Sequence, residues 1–273
     1  MFKMLKDSIK ITNDNIIIIT PLILFMFVLN LYMMYSKASV TNLYLGLLSF
    51  VTVVLMVSAF FAGWFYMIKK AIKHSYEIYV LEQDYSNSIF DLVKSIPTGI
   101  GKYFLSYLGM VCFAVFLIAC VWGIIFYVGS HFIGTLTIDA NQLNTIANAS
   151  DMKTIETLLS QPQIMQLYHW AILILCVTAL TSFLTIFWVQ EIIYSTKNPV
   201  LALFRSIGKI FHKPFKSFLL FLIVTLINCI LSFISSVSAV NPFVYLFCAV
   251  IYFYFFVYLV VLLFLYYERE FKQ

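Results

Sequence analysis

Residues 103–128, YFLSYLGMVCFAVFLIACVWGIIFYV, contain no Asp, Glu, Lys or Arg. A helix needs about 20 apolar residues to cross the hydrocarbon core of a bilayer, and this run is long enough. Five further apolar runs lie at 16–35, 44–68, 167–189, 215–237 and 243–267. They are continuous and lack the alternation of a membrane barrel, so they predict helices. The sequence therefore predicts an all-α polytopic membrane protein with six transmembrane helices, in a single transmembrane domain over residues 1–273.

The composition excludes a water-soluble fold. The 273 residues are 63% hydrophobic and 11% charged, whereas a soluble domain has about 25% charged residues. The Lys and Arg residues are dispersed between apolar runs, so no nucleic-acid partner is predicted. The five cysteines form no C-x-x-C pair, and no nucleotide-binding or hydrolase motif occurs. We therefore expect no enzyme activity, no metal and no cofactor.

The distribution of positive charge predicts the orientation. Fifteen of the 17 Lys and Arg residues lie in the two tails and in the segments 69–102 and 190–216, and only Lys37 and Lys153 lie on the other side. Because cytoplasmic loops carry the excess of Lys and Arg, both termini are predicted to be cytoplasmic in a bacterial inner membrane. An alternative is a cleaved signal ending at "SKA", 36–38, although its apolar run exceeds the about 7–15 residues of a signal core.

Two basic segments resemble each other. When residues 87–108 are shifted by 111 positions onto 198–219, eight of the 22 positions are identical. Both segments precede an outward-going run, which predicts a parallel internal repeat with units at about 87–189 and 198–267. "MLKDSIK" at 4–10 resembles "DLVKSIP" at 91–97 and suggests a third copy. Chance similarity between sequences of biased composition is the alternative explanation.

The repeated segments have the pattern of short interfacial amphipathic helices. In 200–213, apolar residues recur at helical spacing, and cations recur on another face. Asn198-Pro199 is predicted to open the second of these helices, because proline suits a first helical turn. Pro97 and Pro214 are predicted to end the helices before the chain turns into the bilayer. Such helices place cations near anionic lipid phosphates. The candidate contacts with a lipid headgroup or a partner are Lys94, Lys102, Arg205, Lys209, Lys213 and Lys216. The alternative is that these cations only anchor and orient the chain.

Polar residues inside the apolar runs are the other candidates. Asn30, Asn228 and Glu191 could form an intramembrane polar site, and we expect the two asparagines to face other helices. Small residues at Ala59-x-x-x-Gly63 and Ala119-x-x-x-Gly123 predict close helix approaches. His131 and His169 could be neighbours but have no metal-ligand spacing.

The longest predicted external loop covers about 129–166. Asp151 could cap a short helix there, and Asn148-Ala149-Ser150 matches a glycosylation sequon.

The stretch QEIIYSTKNPVLALFRSIGKIFHKPFKSFLLFLIV, residues 190–224, has an acid after the fourth run, an Asn-Pro pair, a basic-Ser pair and a basic lead into the next run. In this layout the chain resembles a bacterial family of uncharacterised six-span integral membrane proteins, which in turn resembles the membrane domain of glycerophosphodiester phosphodiesterases. The resemblance implies no catalytic residue here, because the phosphodiesterase activity of such fusions belongs to a separate soluble barrel.

Two functions follow as hypotheses. The first is a non-enzymatic inner-membrane protein that acts through lipid or protein contacts at its cytoplasmic amphipathic helices. Its expected partners are membrane lipids of anionic character, and a protein partner or a homo-oligomer is a further possibility. The alternative is a carrier or channel for a lipid or a small apolar solute, which needs a cavity that reaches Asn228.

Overall fold

The computed structural model describes residues 1–40, 42–81, 85–135, 159–237 and 242–272. These residues form α1 (Phe2–Asp14), a 3-10 turn (Ile16–Ile18), α2 (Ile19–Ser39), α3 (Leu43–Leu81), α4 (Tyr85–Phe132), α5 (Gln161–Thr185), α6 (Trp188–Tyr194), α7 (Pro199–His212), α8 (Pro214–Val237) and α9 (Pro242–Phe271). No strand occurs in the described ranges, so the all-α prediction is confirmed. The predicted cap at Asp151 and the sequon at Asn148 lie outside the described residues.

Within the described residues, six helical segments are long and apolar enough to cross a membrane. They are Ile16–Ser39, Leu43–Ser75, Phe90–Phe132, Gln161–Tyr194, Pro214–Ile234 and Phe247–Phe271. Each overlaps one of the predicted apolar runs, which confirms the polytopic six-helix architecture. α3 and α4 are much longer than their runs because both continue into the basic segment 69–102.

The chain divides into two compact units. The larger unit comprises Met1–Phe113 and Thr185–Gln273, and the smaller unit is Ala114–Leu184. In the larger unit, the buried side chains are concentrated where α1, α6 and the C-terminal halves of α3 and α9 meet. They include Trp64, Ile68, Ile72, Phe187, Ile192, Leu262 and Tyr266.

The remaining parts of these helices carry many exposed apolar side chains, such as Phe27 and Met34 in α2, Leu48 in α3 and Leu226 in α8. Lipid tails solvate such side chains as well as a protein interior does, so no hydrophobic force drives these segments together. The tight core of the larger unit is therefore confined to the region next to the basic segments.

A pair of glycines allows α3 and α4 to approach closely. A Cβ atom at Gly63 would lie 2.7 Å from Cγ2 of Ile96, and one at Gly99 would lie 2.9 Å from Cα of Gly63. The close approach predicted at Gly63 is thus confirmed. The equivalent prediction for Gly123 is wrong for the described residues, among which no neighbouring element has an atom within 4 Å of the position of its Cβ.

The smaller unit pairs the C-terminal part of α4 with α5. The Trp170 ring lies against Gly129, where a Cβ atom would be only 2.2 Å from the ring. The Trp170 Nε1 donates to the carbonyl of Gly134 at 3.3 Å, and Gln166 Nε2 donates to the carbonyl of Thr135 at 2.9 Å. Gly134 has a φ of +93°, a conformation that favours glycine. These contacts fix the end of the helix pair.

The two prolines of the repeated segments behave differently. Pro214 begins α8 directly after α7 ends at His212, as predicted. The predicted break at Pro97 is wrong, because α4 runs through Pro97 without interruption. Leu92 and Tyr103, on either side of the proline in the sequence, are both buried. The neighbouring turns of α4 are therefore packed although one backbone hydrogen bond is lost at the proline. A missing donor alone therefore does not end this helix.

Candidate functional site

The short helix α6 places two polar side chains inside the larger unit. Gln190 and Glu191 are both buried, together with Ile192 and Ile193. The chain then turns, and Trp188 Nε1 donates to the carbonyl of Pro199 at 2.7 Å across this turn. The Asn198 side chain accepts from the amides of Val200 and Leu201, which caps α7. The Asn-Pro pair thus starts α7 as the sequence indicates.

A buried ion pair joins α6 to α7. The Lys209 Nζ lies 2.7 Å from Oε1 of Glu191, whose side chain is completely buried, whereas that of Lys209 is 26% exposed. Lys209 also donates to the hydroxyl of Tyr267, and this hydroxyl lies 3.0 Å from Oγ of Ser195. A buried carboxylate is costly unless it is paired, so Lys209 compensates the charge of Glu191.

Further ion pairs fix the C-terminal end of α9. Glu270 contacts Lys213 at 2.9 Å and Lys216 at 3.0 Å, and Arg269 contacts Asp7 of α1 at 2.7 Å. Lys213 also donates to the backbone carbonyl of Glu270 at 2.8 Å. These contacts tie α9 to α1 and to the junction of α7 and α8.

The six cations predicted to contact a headgroup or a partner fall into two groups. Lys209, Lys213 and Lys216 each have a carboxylate partner within the chain. The other three, Lys94, Lys102 and Arg205, are exposed. The Nζ of Lys102 lies 5.8 Å and 5.4 Å from the ring centres of Tyr66 and Tyr103. Within the described residues, no carboxylate lies within ion-pair distance of the second group, so its charge stays available at the surface.

The side chains of α7 point to three different environments. Ala202, Leu203, Ser206 and Ile210 are buried against the rest of the larger unit. Phe204 and Phe211 are 65% and 69% exposed on a second side. Arg205 is exposed on a third side, and Lys209 turns toward Glu191. The helix therefore combines an attached side, an exposed apolar side and a cationic side.

The three polar residues predicted inside the spans do not converge. Asn30 and Asn228 are both exposed, so the expectation that they face other helices is wrong within the described chain. The Asn30 side-chain amide donates to the carbonyl of Met26 at 2.8 Å, so it has a hydrogen-bond partner within its own helix. Glu191 is buried and lies beside Lys209. The asparagines lie in segments that lipid solvates, where helices are not forced into contact.

Sequence reasoning singled out Lys102 but missed the group of side chains to which it belongs, which we call the Tyr194 cluster (Lys69, Lys102, Tyr103, Tyr194 and Lys272). Lys69 Nζ lies 4.6 Å and Lys272 Nζ 4.8 Å from the centre of the Tyr194 ring. Lys69 and the Tyr103 hydroxyl both donate to the carbonyl of Ile193, at 2.9 Å and 3.1 Å. The three lysines are far apart in the sequence, which shows their positive charge but not that the fold brings them together.

Cavities occur in both units of the described structure. One of about 740 Å³ lies in the smaller unit and is lined by residues that include Phe132, Gln163 and His169. Another, of about 430 Å³, lies between α2 and α3 and is lined by residues that include Ser36, Lys37 and Ser49. Neither of these cavities is lined by Asn228, which the carrier hypothesis needs.

The two histidines of the smaller unit have aromatic neighbours. His131 stacks on Tyr127 with ring centres 6.5 Å apart, and His169 lies beside Tyr168. No group of three or more His, Cys, Asp or Glu side chains able to hold a metal ion occurs in the described part of the chain. The structure thus gives these histidines no shared ligand set.

Comparisons with protein-family models, with curated proteins and with solved structures gave no match to this chain.

Proposed function

We propose that this chain is a non-enzymatic protein of the bacterial cytoplasmic membrane that binds anionic lipid through short helices at its cytoplasmic side. The observation that carries the proposal is the three-sided arrangement of α7. Its buried side attaches it to the protein, while Phe204 and Phe211 are exposed beside Arg205. An interfacial helix needs this combination, because its apolar side enters the acyl boundary and its cations meet the headgroups.

The exposed phenylalanines argue against an aqueous position for α7. Phe215, at the start of α8, is also 89% exposed. Large apolar side chains grouped in this way mark a contact surface. In a protein with six helices able to cross a membrane, lipid can cover that surface. The adjacent Arg205 can then meet a lipid phosphate, and a cation near an anionic surface contributes about 1 kcal/mol.

The segments before the first and third spans have related surfaces. Phe2 and Ile9 are exposed on α1, and Phe90 and Val93 are exposed on α4 beside Lys94. We propose that these segments and α7 are copies of one repeated unit.

Burial at matched positions supports the repeat proposal. Ser8, Ser95 and Ser206 occupy equivalent positions in the three aligned segments, and all three are buried. Leu92 and Leu203, and Ser106 and Ser217, are also buried pairs at the shift of 111 positions. The resemblance of residues 190–224 to the six-span family remains a proposal and rests on sequence layout.

Native mass spectrometry of protein gently extracted from its membrane tests the lipid-binding proposal. We expect retained phosphatidylglycerol or cardiolipin, and a marked loss of it in a variant carrying Lys94→Gln and Arg205→Gln. Lys209 and Lys213 are unsuitable for this test, because replacing them breaks ion pairs within the chain.

Lys37→Gln is the matched control, since it removes an exposed cation predicted to lie on the opposite side of the membrane. Equal lipid retention in the double variant and in the wild type would overturn the proposal.

A further inference from the structure

The Tyr194 cluster gathers positive charge from three separate parts of the chain. Lys69 belongs to α3, Lys102 belongs to α4, and Lys272 follows α9. Lys69 and Lys272 both lie against the Tyr194 ring. Tyr103 shares the Ile193 carbonyl with Lys69, and the Lys102 ammonium group lies over the Tyr103 ring. Within the described residues, the cluster thus brings three ammonium groups near one carboxylate, that of Glu268.

The cluster differs from the ion pairs around α7. Within the described residues, no carboxylate oxygen lies within ion-pair distance of Lys69, Lys102 or Lys272. Glu268 accepts a hydrogen bond from the Tyr194 hydroxyl at 3.0 Å. Aromatic rings attract the lysine charges, but a ring carries no net charge and cannot neutralise them. Like charges held close together in this way are unfavourable unless an anion joins them.

The cluster is also held in position. The hydroxyl of Tyr103 and the ammonium group of Lys69 share the Ile193 carbonyl, which fixes α3, α4 and α6 relative to one another. Lys69 is half-buried, whereas Lys102 and Lys272 are exposed. A ligand can thus reach the cluster from the surface and meet one partly desolvated cation, where electrostatic attraction is stronger than in water.

We propose that Lys69, Lys102 and Lys272 form a binding site for a phosphate group carried by a lipid headgroup or by a small soluble phosphate compound. A phosphate offers several acceptor oxygens and at least one negative charge, which matches three ammonium donors opposed by one acid. This inference rests on the proposed function, since it names a site for the same anionic chemistry away from α7.

Two probes distinguish a lipid headgroup from a soluble phosphate compound as the ligand of this site. Short-chain phosphatidic acid added to the detergent-solubilised full chain is followed by native mass spectrometry, and inorganic phosphate is followed by calorimetry. Binding of the lipid alone would assign the site to a headgroup, and binding of both with similar affinity would assign it to the phosphate group itself. Both outcomes support the proposal, and binding of neither would overturn it.

Variants test whether these lysines are responsible. We expect Lys69→Gln and Lys272→Gln each to weaken binding about fivefold, as the loss of one cation near an anion predicts. Lys70→Gln is the matched control, because Lys70 is adjacent in sequence, carries the same charge and is exposed. Lys272 is exposed, so its replacement does not disturb the core even if Lys69→Gln lowers stability.

Failure of the proposed phosphate site can be distinguished from failure of the lipid-binding role proposed for α7. If Lys69→Gln and Lys272→Gln behave like Lys70→Gln while the Lys94 and Arg205 variant loses lipid, the Tyr194 site is wrong and the proposed function stands. If only the Tyr194 variants lose the probe, the site stands and the role proposed for α7 is wrong.

Discussion

The Nζ of Lys209 lies 2.7 Å from Oε1 of Glu191, and the Glu191 side chain is completely buried. The two residues belong to α7 and α6, so the pair joins the surface helix to the core. Removing one partner of a buried pair leaves an uncompensated charge, whereas removing both avoids it. This relationship makes α7 part of the folded core and not a detachable surface element.

We expect Lys209→Met to lower the free energy of unfolding by about 3 kcal/mol, because Glu191 would remain buried without a counter-charge. Glu191→Gln combined with Lys209→Met should recover part of this loss. The measurement is denaturant unfolding in detergent micelles, followed by circular dichroism. Lys216→Met is the control and should cost less than about 1 kcal/mol, because its pair with Glu270 is exposed. Equal losses at positions 209 and 216 would contradict the role assigned to the buried pair.

The crossing of α3 and α4 predicts a contrast between two nearby glycines. Gly99→Ala should destabilise the protein by about 1–3 kcal/mol, since its Cβ would meet Tyr66 and the backbone of Gly63 at less than 3 Å. Gly101→Ala should be neutral or stabilising by up to about 1 kcal/mol, because its Cβ enters open space within a helix. Thermal unfolding of both variants provides the measurement. A stable Gly99→Ala variant would show that the two helices separate more easily than the structure indicates.

Asn228 lies exposed on a helix that is long and apolar enough to cross a membrane. Replacement by Leu removes a polar group from lipid, so we expect Asn228→Leu to stabilise the protein by about 0.5–2 kcal/mol. Leu222→Ile, at another exposed position of α8, is a control that leaves polarity unchanged. Loss of stability or of an oligomer on size-exclusion chromatography would indicate that the Asn228 side of α8 contacts protein.

The two prolines of the repeated segments should respond differently to alanine. Pro97 lies inside α4, so Pro97→Ala restores a backbone donor and should stabilise the helix by about 1–3 kcal/mol. Pro214 occupies the first residue of α8, where its missing N–H has no helical partner, and Pro214→Ala should change stability by less than about 0.5 kcal/mol. Thermal melts compare the two variants directly. Destabilisation by Pro97→Ala would mean that a bend at this residue is needed for packing.

The sequence by itself determined the helical class and the six apolar spans. A helix satisfies its own backbone hydrogen bonds, so a continuous apolar run is enough to predict a span in lipid. The Asn-Pro start of α7 and the close approach at Gly63 were also visible, because helix caps and small residues act over short distances. The persistence of α4 through Pro97 was not visible, because it depends on packing against other helices.

Only the tertiary structure decided which charges are paired. Lys209, Lys213 and Arg205 look alike in the sequence, yet the first two meet carboxylates and the third stays exposed. The Tyr194 cluster likewise joins Lys69 to residues more than a hundred positions away. Whether a cation is neutralised or left available depends on which helix ends pack together, and a hydropathy pattern carries no information about that packing.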